Sequence, residues 1–267
     1  MGEVGAVAVV GVVRAVAVAG CGAGRSGRSG GCGGRRGRGA WRRRGERGRG
    51  VARACRRARA AACLVELAGD GAGIDVLLGV EEEPGVRWPD LDDARGRLDG
   101  ADLLARLPRW DGVPVVSATT EGGPSVASVV DVVAALAETV VPQDGLVVLD
   151  LGRGTLVPGT PAHEVAAACA EVLVVTPLDV PAVGGAAVLA ARLDVPAALV
   201  VRHPAPGRLS SAEVAHAVGL DVAAAVRRDR GLAGAVERGH GPCAGRGPVE
   251  RVGRVLVRRY LDARRRA

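Results

Sequence analysis

Two short stretches carry the residue types that phosphate and magnesium chemistry requires. The first is Gly20-Cys21-Gly22-Ala23-Gly24-Arg25-Ser26. Glycines let backbone N–H groups turn toward an anion, a cation neutralises it, and a hydroxyl offers an oxygen to Mg²⁺. Gly20, Gly22 and Gly24 would form the cradle, Arg25 the cation and Ser26 the metal contact. The second stretch is Leu146-Val147-Val148-Leu149-Asp150, an apolar run that ends in a carboxylate. Open α/β sheets bind ligands at the carboxyl ends of their strands, and a carboxylate there suits a Mg²⁺ contact. Glu66 lies at the end of a similar run, Cys63–Leu67, and Thr176-Pro177 follows a third, Val172–Val175. The sequence has no lysine, so all 36 basic residues are Arg. A guanidinium fork is bulkier than an ammonium and does not replace it in a tight phosphate loop.

Other chemistries find less support. Cys21, Cys32, Cys55, Cys63, Cys169 and Cys243 include no C-x-x-C pair, and no His completes a zinc set. Scattered thiols fit a reducing cytoplasm. His163, His203, His216 and His240 lie on separate elements without a paired Ser or Cys nucleophile. Val4 to Gly20 is apolar but is broken by Arg14 and preceded by Glu3. It reads as strand rather than signal peptide, and it is shorter than the ~20 apolar residues a spanning helix needs.

The elements that must position these residues are visible as patterns. Runs of four or five apolar residues without polar alternation suit strands covered on both faces of a parallel sheet. Strands are expected at 63–67, 113–117, 146–149, 172–175, 197–201 and 222–226. Helices are expected at 74–78, 101–107, from Pro124 to about 140, and at 161–170, 180–193, 211–218, 231–238 and 249–267. Ser210 and Ser211 cap the helix that runs through Val218, with Glu213 well placed for its first turn. From residue 113 onward strand and helix alternate about six times across short connections, the mark of a parallel sheet with helices on both faces. The expected fold is a doubly wound, mainly parallel α/β sheet of about six or seven strands, starting properly near residue 63. With no Phe, one Tyr and three Trp, its core must be Val, Leu and Ala.

The net charge of +7 comes from one tract. Residues 25–59 hold 14 Arg and one acid, Glu46, and contribute +13; the remainder, with 22 Arg and 28 acids, sums to −6. Four parts follow: an apolar strand-like start at 1–20, an Arg/Gly-rich tract at 21–62, an α/β domain at 63–248 and a basic helix at 249–267. Glycine costs ~1 kcal/mol per helical position relative to Ala, so the tract will not form a good helix behind the loop. Two readings of it stay open. A disordered Arg/Gly tail would bind nucleic acid by phosphate neutralisation through 25–59, although Trp41 is the only aromatic there for base stacking. A one-base frame shift in a GC-rich gene, between about residues 14 and 61, would yield the same composition.

Several pieces, taken in order, are similar to a known pattern. Leu64-Val65-Glu66-Leu67 is followed by Gly71-Ala72-Gly73-Ile74-Asp75-Val76-Leu77-Leu78-Gly79. Next come Gly85-Val86-Arg87-Trp88-Pro89-Asp90-Leu91 and Ala94-Arg95-Gly96-Arg97-Leu98-Asp99-Gly100. Leu146–Asp150 looks like a Walker B strand. Ala170–Pro177 and Val180–Val183 look like the strand and helix entry that follow it, and Leu220–Arg230 with Glu237-Arg238-Gly239 like a closing strand, loop and helix. Over about residues 63–258 the chain resembles the MinD/ParA family of P-loop ATPases, and more narrowly the CpaE-like, septum-site-determining (Ssd) proteins of actinobacteria.

The resemblance implies ATP and Mg²⁺ as cofactors, with Asp150 and Glu66 as catalytic carboxylates and Ser26 and Asp150 on the metal. Gly20, Gly22, Gly24, Arg25, Thr176, Pro177 and Arg202 would contact the nucleotide. Ala23 and Arg25 depart from the family's loop, and Arg202 stands where relatives often place an Asn that reads adenine, so hydrolysis is expected to be weak or absent. The family further implies a role in positioning the division septum or a pilus/secretion assembly. Its partners would be a second copy of the chain or proteins of the division or pilus/secretion machinery. The setting would be the cytoplasm, with peripheral contact at the inner face of the plasma membrane through 249–267. The opposing view of that segment is a final helix packed on the sheet. A non-catalytic scaffold for protein partners and an Arg/Gly nucleic-acid binder are the alternative functions.

Overall fold

The computed structural model describes residues 9–14, 61–68, 73–152, 156–204, 208–242 and 247–264. Among the described residues eight strands form one sheet: β1 (Val9–Arg14), β2 (Ala62–Glu66), β3 (Arg109–Trp110), β4 (Val113–Val116), β5 (Leu146–Leu151), β6 (Glu171–Pro177), β7 (Ala197–His203) and β8 (Val222–Arg227). Their order is β3-β4-β2-β5-β1-β6-β7-β8. Every neighbouring pair is parallel except β3 and β4. The helices are α1 (Ile74–Leu78), α2 (Gly100–Arg106), α3 (Val129–Val140), α4 (Pro161–Ala167), α5 (Val180–Ala190), α6 (Ser211–Val218), α7 (Leu232–Glu237) and α8 (Pro248–Arg264).

Period-two alternation sorts the strand residues into two cores. Cys63, Val65, Val147, Leu149, Val172, Val174, Leu199 and Val201 pack against α3, α4, α5 and α6. Leu64, Leu146, Val148, Leu173, Val175, Ala198 and Val200 pack on the other face with Ile74 and Leu78 of α1 and with Val249, Leu256, Val257 and Tyr260 of α8. Both faces are covered, so the central strands read as unbroken apolar runs. Helix α2 crosses α3 at Gly100, where a Cβ would fall 2.1 Å from the Ala135 carbonyl oxygen. A side chain there would force the helices apart.

Three expectations change. The sheet does not begin near residue 63: β1 lies at its centre, paired with β5 on one side and β6 on the other. A strand from the start of the chain and helix α8 from its end thus belong to the same unit as the segments between them. Helix α3 begins at Val129 rather than Pro124. Ser125 Oγ accepts the Ala127 N–H (3.3 Å), and this local bond competes with helix formation. The two-residue strand β3 joins β4 through Asp111-Gly112, both at positive φ (50° and 82°). That is a tight hairpin turn of the kind Asp-Gly favours.

Helix α8 lies on the sheet. Tyr260 donates its hydroxyl hydrogen to Glu171 at the amino end of β6, and Arg259 donates to the other oxygen of the same carboxylate. Burial, and then the negative Glu171, push the Tyr260 phenol well above the usual tyrosine range. Val255 faces outward and is 54% exposed. Among the described residues, no helix is long and apolar enough to cross a membrane.

Candidate functional site at the carboxyl edge

The strand order reverses around β1: β5 lies to one side of it and the next strand, β6, to the other. In an open α/β sheet such a switch point opens a crevice at the carboxyl ends of the strands. Three of the candidate residues stand along this edge on one face. Glu66 and Asp150 are register partners on β2 and β5. Each continues the alternation of residues packed on the α1/α8 face, namely Ala62 and Leu64, and Leu146 and Val148. Arg202 of β7 continues Ala198 and Val200 on that face. Thr176 does not join them. Its neighbours Val172 and Val174 belong to the opposite core, and its hydroxyl donates to the Pro177 carbonyl oxygen (3.1 Å). Pro177 and Arg202 are register partners at the ends of β6 and β7. Gly20, Gly22, Gly24, Arg25 and Ser26 lie outside the described residues. At the end of β1, Val13 is in register with Leu151 and Arg14 with Val175.

At the β2/β5 end the charges are buried and tied to backbone. Glu66 is 4% exposed and Asp150 7%. Glu66 Oε2 accepts the N–H groups of Ile74 (2.8 Å) and Ala118 (2.9 Å), joining the start of α1 to the loop after β4. The Leu67 N–H donates to the Asp150 carbonyl oxygen (2.9 Å), closing β2 onto β5. Trp88, fully buried, donates its indole N–H to the Glu66 carbonyl oxygen (2.6 Å) and its backbone N–H to that of Ser117 (3.0 Å). Gly73, at φ +91°, admits this packing. A Cβ there would lie 2.2 Å from the Ala118 carbonyl oxygen and 2.3 Å from Asp75 Oδ1.

Arg87 fixes the segment that delivers Trp88. Its Nε donates to Asp75 Oδ2 (3.0 Å), and its Nη2 lies 2.9–3.1 Å from the carbonyl oxygens of Val80, Glu81 and Glu83. Resemblance had singled out Arg87 and Trp88 only as motif letters. Here Arg87 pairs with Asp75, and Trp88 bonds the backbone of Glu66. Their acceptors lie in other elements, and nothing local in the sequence announces them.

At the β7/β8 end Arg227, Arg228 and Arg230 are exposed and Asp229 is half-buried. A cleft of about 870 Å³ is lined by His203, Pro204, Arg227, Arg228, Asp229 and Arg230, with Ala225, Gly231 and Pro248 completing its walls. The Arg228 N–H donates to the His203 carbonyl oxygen (2.7 Å), which holds the loop after β8 against the end of β7. Asp229 Oδ1 accepts the Gly231 N–H (3.0 Å). A Cβ on residue 247 would lie 2.2 Å from Asp229 Oδ2, so Gly247 leaves room for that oxygen. With strands spaced ~4.8 Å apart, β5 to β8 spans roughly 19 Å. That is comparable to the reach of an extended nucleoside triphosphate.

The residues present fit a nucleotide with Mg²⁺. Asp150 and Glu66 supply hard oxygen donors of the type Mg²⁺ prefers. The Ser117 hydroxyl, just past β4, is buried with no hydrogen-bond partner among the described residues, a polar atom that an ordered ligand or water would satisfy. No group of three or more His, Cys, Asp or Glu converges on a metal position among the described residues. Cys63 is no nucleophile: burial pushes its thiol up to about 12, against a smaller opposing pull from Arg109.

No protein-family model matches the chain. Two uncharacterized Mycobacterium tuberculosis proteins, Rv3660c and MT3760, are each 39% identical to it over 187 residues, 68% of this chain and 51% of each relative. The chain therefore spans about half the length of the curated relatives it matches. Among solved structures, a ParA family ATPase from Chlorobium tepidum superposes with a TM-score of 0.68 at 15% identity, covering 94% of this chain and 98% of that one. The MinC:MinD cell division protein complex of Aquifex aeolicus gives 0.65 at 13% identity, covering 95% of each chain. The septum site-determining protein MinD of Pyrococcus horikoshii, complexed with Mg-ADP, gives 0.60 at 10% identity and 94% of each chain. At such identities the likeness concerns architecture: the chain has the doubly wound, mainly parallel fold of the MinD/ParA P-loop NTPases.

Proposed function

We propose that this protein binds a nucleoside triphosphate with Mg²⁺ along the carboxyl edge and uses binding, more than hydrolysis, to control its association with protein partners. The observation that carries the reading is the pairing of Glu66 with Asp150 at the switch point, on one edge with an arginine-lined cleft. Asp150 and Glu66 would hold the metal side. Mg²⁺ would supply charge neutralisation on the phosphates. Arg202 and the arginines of the cleft would face the nucleotide's other end. Because the sequence lacks lysine, any side-chain cation on the phosphates is a guanidinium, which supports weak or absent hydrolysis.

The fold neighbours and the order of the motifs support a MinD/ParA-type architecture, and from it we infer a more specific role. It is a CpaE-like, septum-site-determining type of activity, positioning the division septum or a pilus/secretion assembly through a homodimer or partners of that machinery. ATP, as the nucleotide implied by the neighbours named ATPases, is the first probe. We place the protein in the cytoplasm. The apolar side of α8 is occupied by the sheet, so peripheral contact with an anionic membrane would rest on the outer charges of Arg251, Arg254 and Arg258.

Equilibrium binding of labelled ATP with Mg²⁺ tests the reading. Micromolar binding that weakens in Asp150→Asn, with little turnover, is the expected result. Absence of binding by any nucleoside triphosphate would leave the scaffold for protein partners as the better account.

A further inference from the structure

The cleft at the ends of β7 and β8 contains one carboxylate among three guanidiniums: Asp229 with Arg227, Arg228 and Arg230. This mixture has a definite complement among the purines. Guanine presents two acceptors, O6 and N7, which an arginine fork meets bidentately. Adenine replaces the O6 acceptor by an N6 donor, which faces an arginine N–H donor to donor. Guanine also carries N1–H and N2–H₂ side by side, two donors that one carboxylate accepts together, whereas adenine has no donor at either position. Asp229 lines the cleft and its side chain is held in place: the Gly231 N–H donates to Oδ1, and Oδ2 packs beside Gly247, where a Cβ would lie 2.2 Å away. The Arg228 N–H to the His203 carbonyl oxygen keeps the loop on the edge of the sheet. Among the described residues that line the cleft, no Asn or Gln is present to read an adenine edge.

We propose that this cleft is the base end of the nucleotide site and selects guanine over adenine, with Asp229 as the specificity residue and the arginines as donors to O6 and N7. The proposal rests on the nucleotide reading above and refines it.

The test is a set of equilibrium titrations on the full chain with Mg²⁺ and, separately, GTP, ATP, XTP and inorganic tripolyphosphate. GTP should bind about tenfold or more tighter than ATP, the discrimination provided by one bidentate pair. Xanthine has an acceptor oxygen where guanine has N2–H₂. Asp229→Asn should therefore lose affinity for GTP and gain it for XTP, a reversal that a merely structural role would not produce. The variant keeps an amide oxygen for the Gly231 N–H, and Arg228→Ala is a second variant at an exposed position that should reduce the GTP preference. ATP binding as tightly as GTP would overturn the specificity and leave the nucleotide reading standing. Tripolyphosphate competing as well as GTP would overturn it too, since the arginines would then act by charge alone. If no triphosphate binds, the nucleotide reading itself fails.

Discussion

At the β2/β5 end of the carboxyl edge the charged groups are buried and hold backbone together; at the β7/β8 end they are exposed and line a cleft. Glu66 joins three segments through Oε2 and its carbonyl oxygen. Arg87 ties Asp75 to the loop at 80–85. By contrast Arg227, Arg228 and Arg230 are exposed. Charge that is buried and bonded is costly to alter, whereas charge on the surface contributes little to stability. The first end should therefore respond to substitution through stability as well as binding, and the other through ligand binding alone.

The largest expected effect is at Trp88. Trp88→Ala removes a fully buried indole and its bond to Glu66, and should cost about 3–5 kcal/mol in urea unfolding. An effect under ~1 kcal/mol, the size of a surface substitution, would erase the contrast. Next is Glu66→Ala, which strands the N–H groups of Ile74 and Ala118. At ~1–3 kcal/mol for an unsatisfied buried group it should cost about 3 kcal/mol, and Glu66→Gln, which keeps an acceptor, clearly less.

Tyr260 gives a third comparison at the amino edge. Tyr260→Phe should cost ~1.5–3 kcal/mol, as expected for a hydrogen bond to a charged group. It is the single tyrosine of the chain, so tyrosinate absorbance reports it alone. Its phenol is raised in the folded state. Its stabilising contribution is thus complete below the ordinary tyrosine value of ~10 and declines as pH rises above it. Native protein should show no tyrosinate signal at pH values where the unfolded chain titrates.

Smaller still is Arg228→Ala, which should leave the urea midpoint within the ~0.5 kcal/mol typical of surface positions while weakening triphosphate binding. A stability loss as large as that of Glu66→Ala would show that the cleft is also a structural knot. Cys63, finally, should resist thiol reagents at pH 8 until the protein unfolds, because its thiol is pushed up to about 12 by burial. Peptide mapping after labelling checks this.

Much of the architecture was legible because doubly covered strands leave continuous apolar runs. Leu146–Leu149 and Val172–Val175 mark β5 and β6 to within two residues at each end. The Ser210 cap with Glu213 in the first turn is present as the sequence foretold. Strand β3 escaped notice because two residues carry no periodicity, although Asp111-Gly112 is a hairpin signal. The central place of β1 was hidden because pairing partners 138 positions apart, Val9 with Val147, leave no local trace. For the same reason Glu66 read as a strand-end carboxylate of open purpose. The donors that define its role come from residues 74 and 118. In the sequence Arg227-Arg228-Asp229 is a charge run open to two readings, a nucleotide-lining segment or a solvated loop, since the cleft's other wall, His203 and Pro204, belongs to a different strand.

The central claim, that the carboxyl edge is a nucleotide site, is tested most directly by amide hydrogen exchange of the full chain with and without a Mg²⁺–nucleoside triphosphate. The account predicts added protection confined to the ends of β2, β5, β6, β7 and β8 and the loop at 228–231. Unchanged exchange at saturating triphosphate, or protection on the amino edge around Glu171 instead, would contradict it.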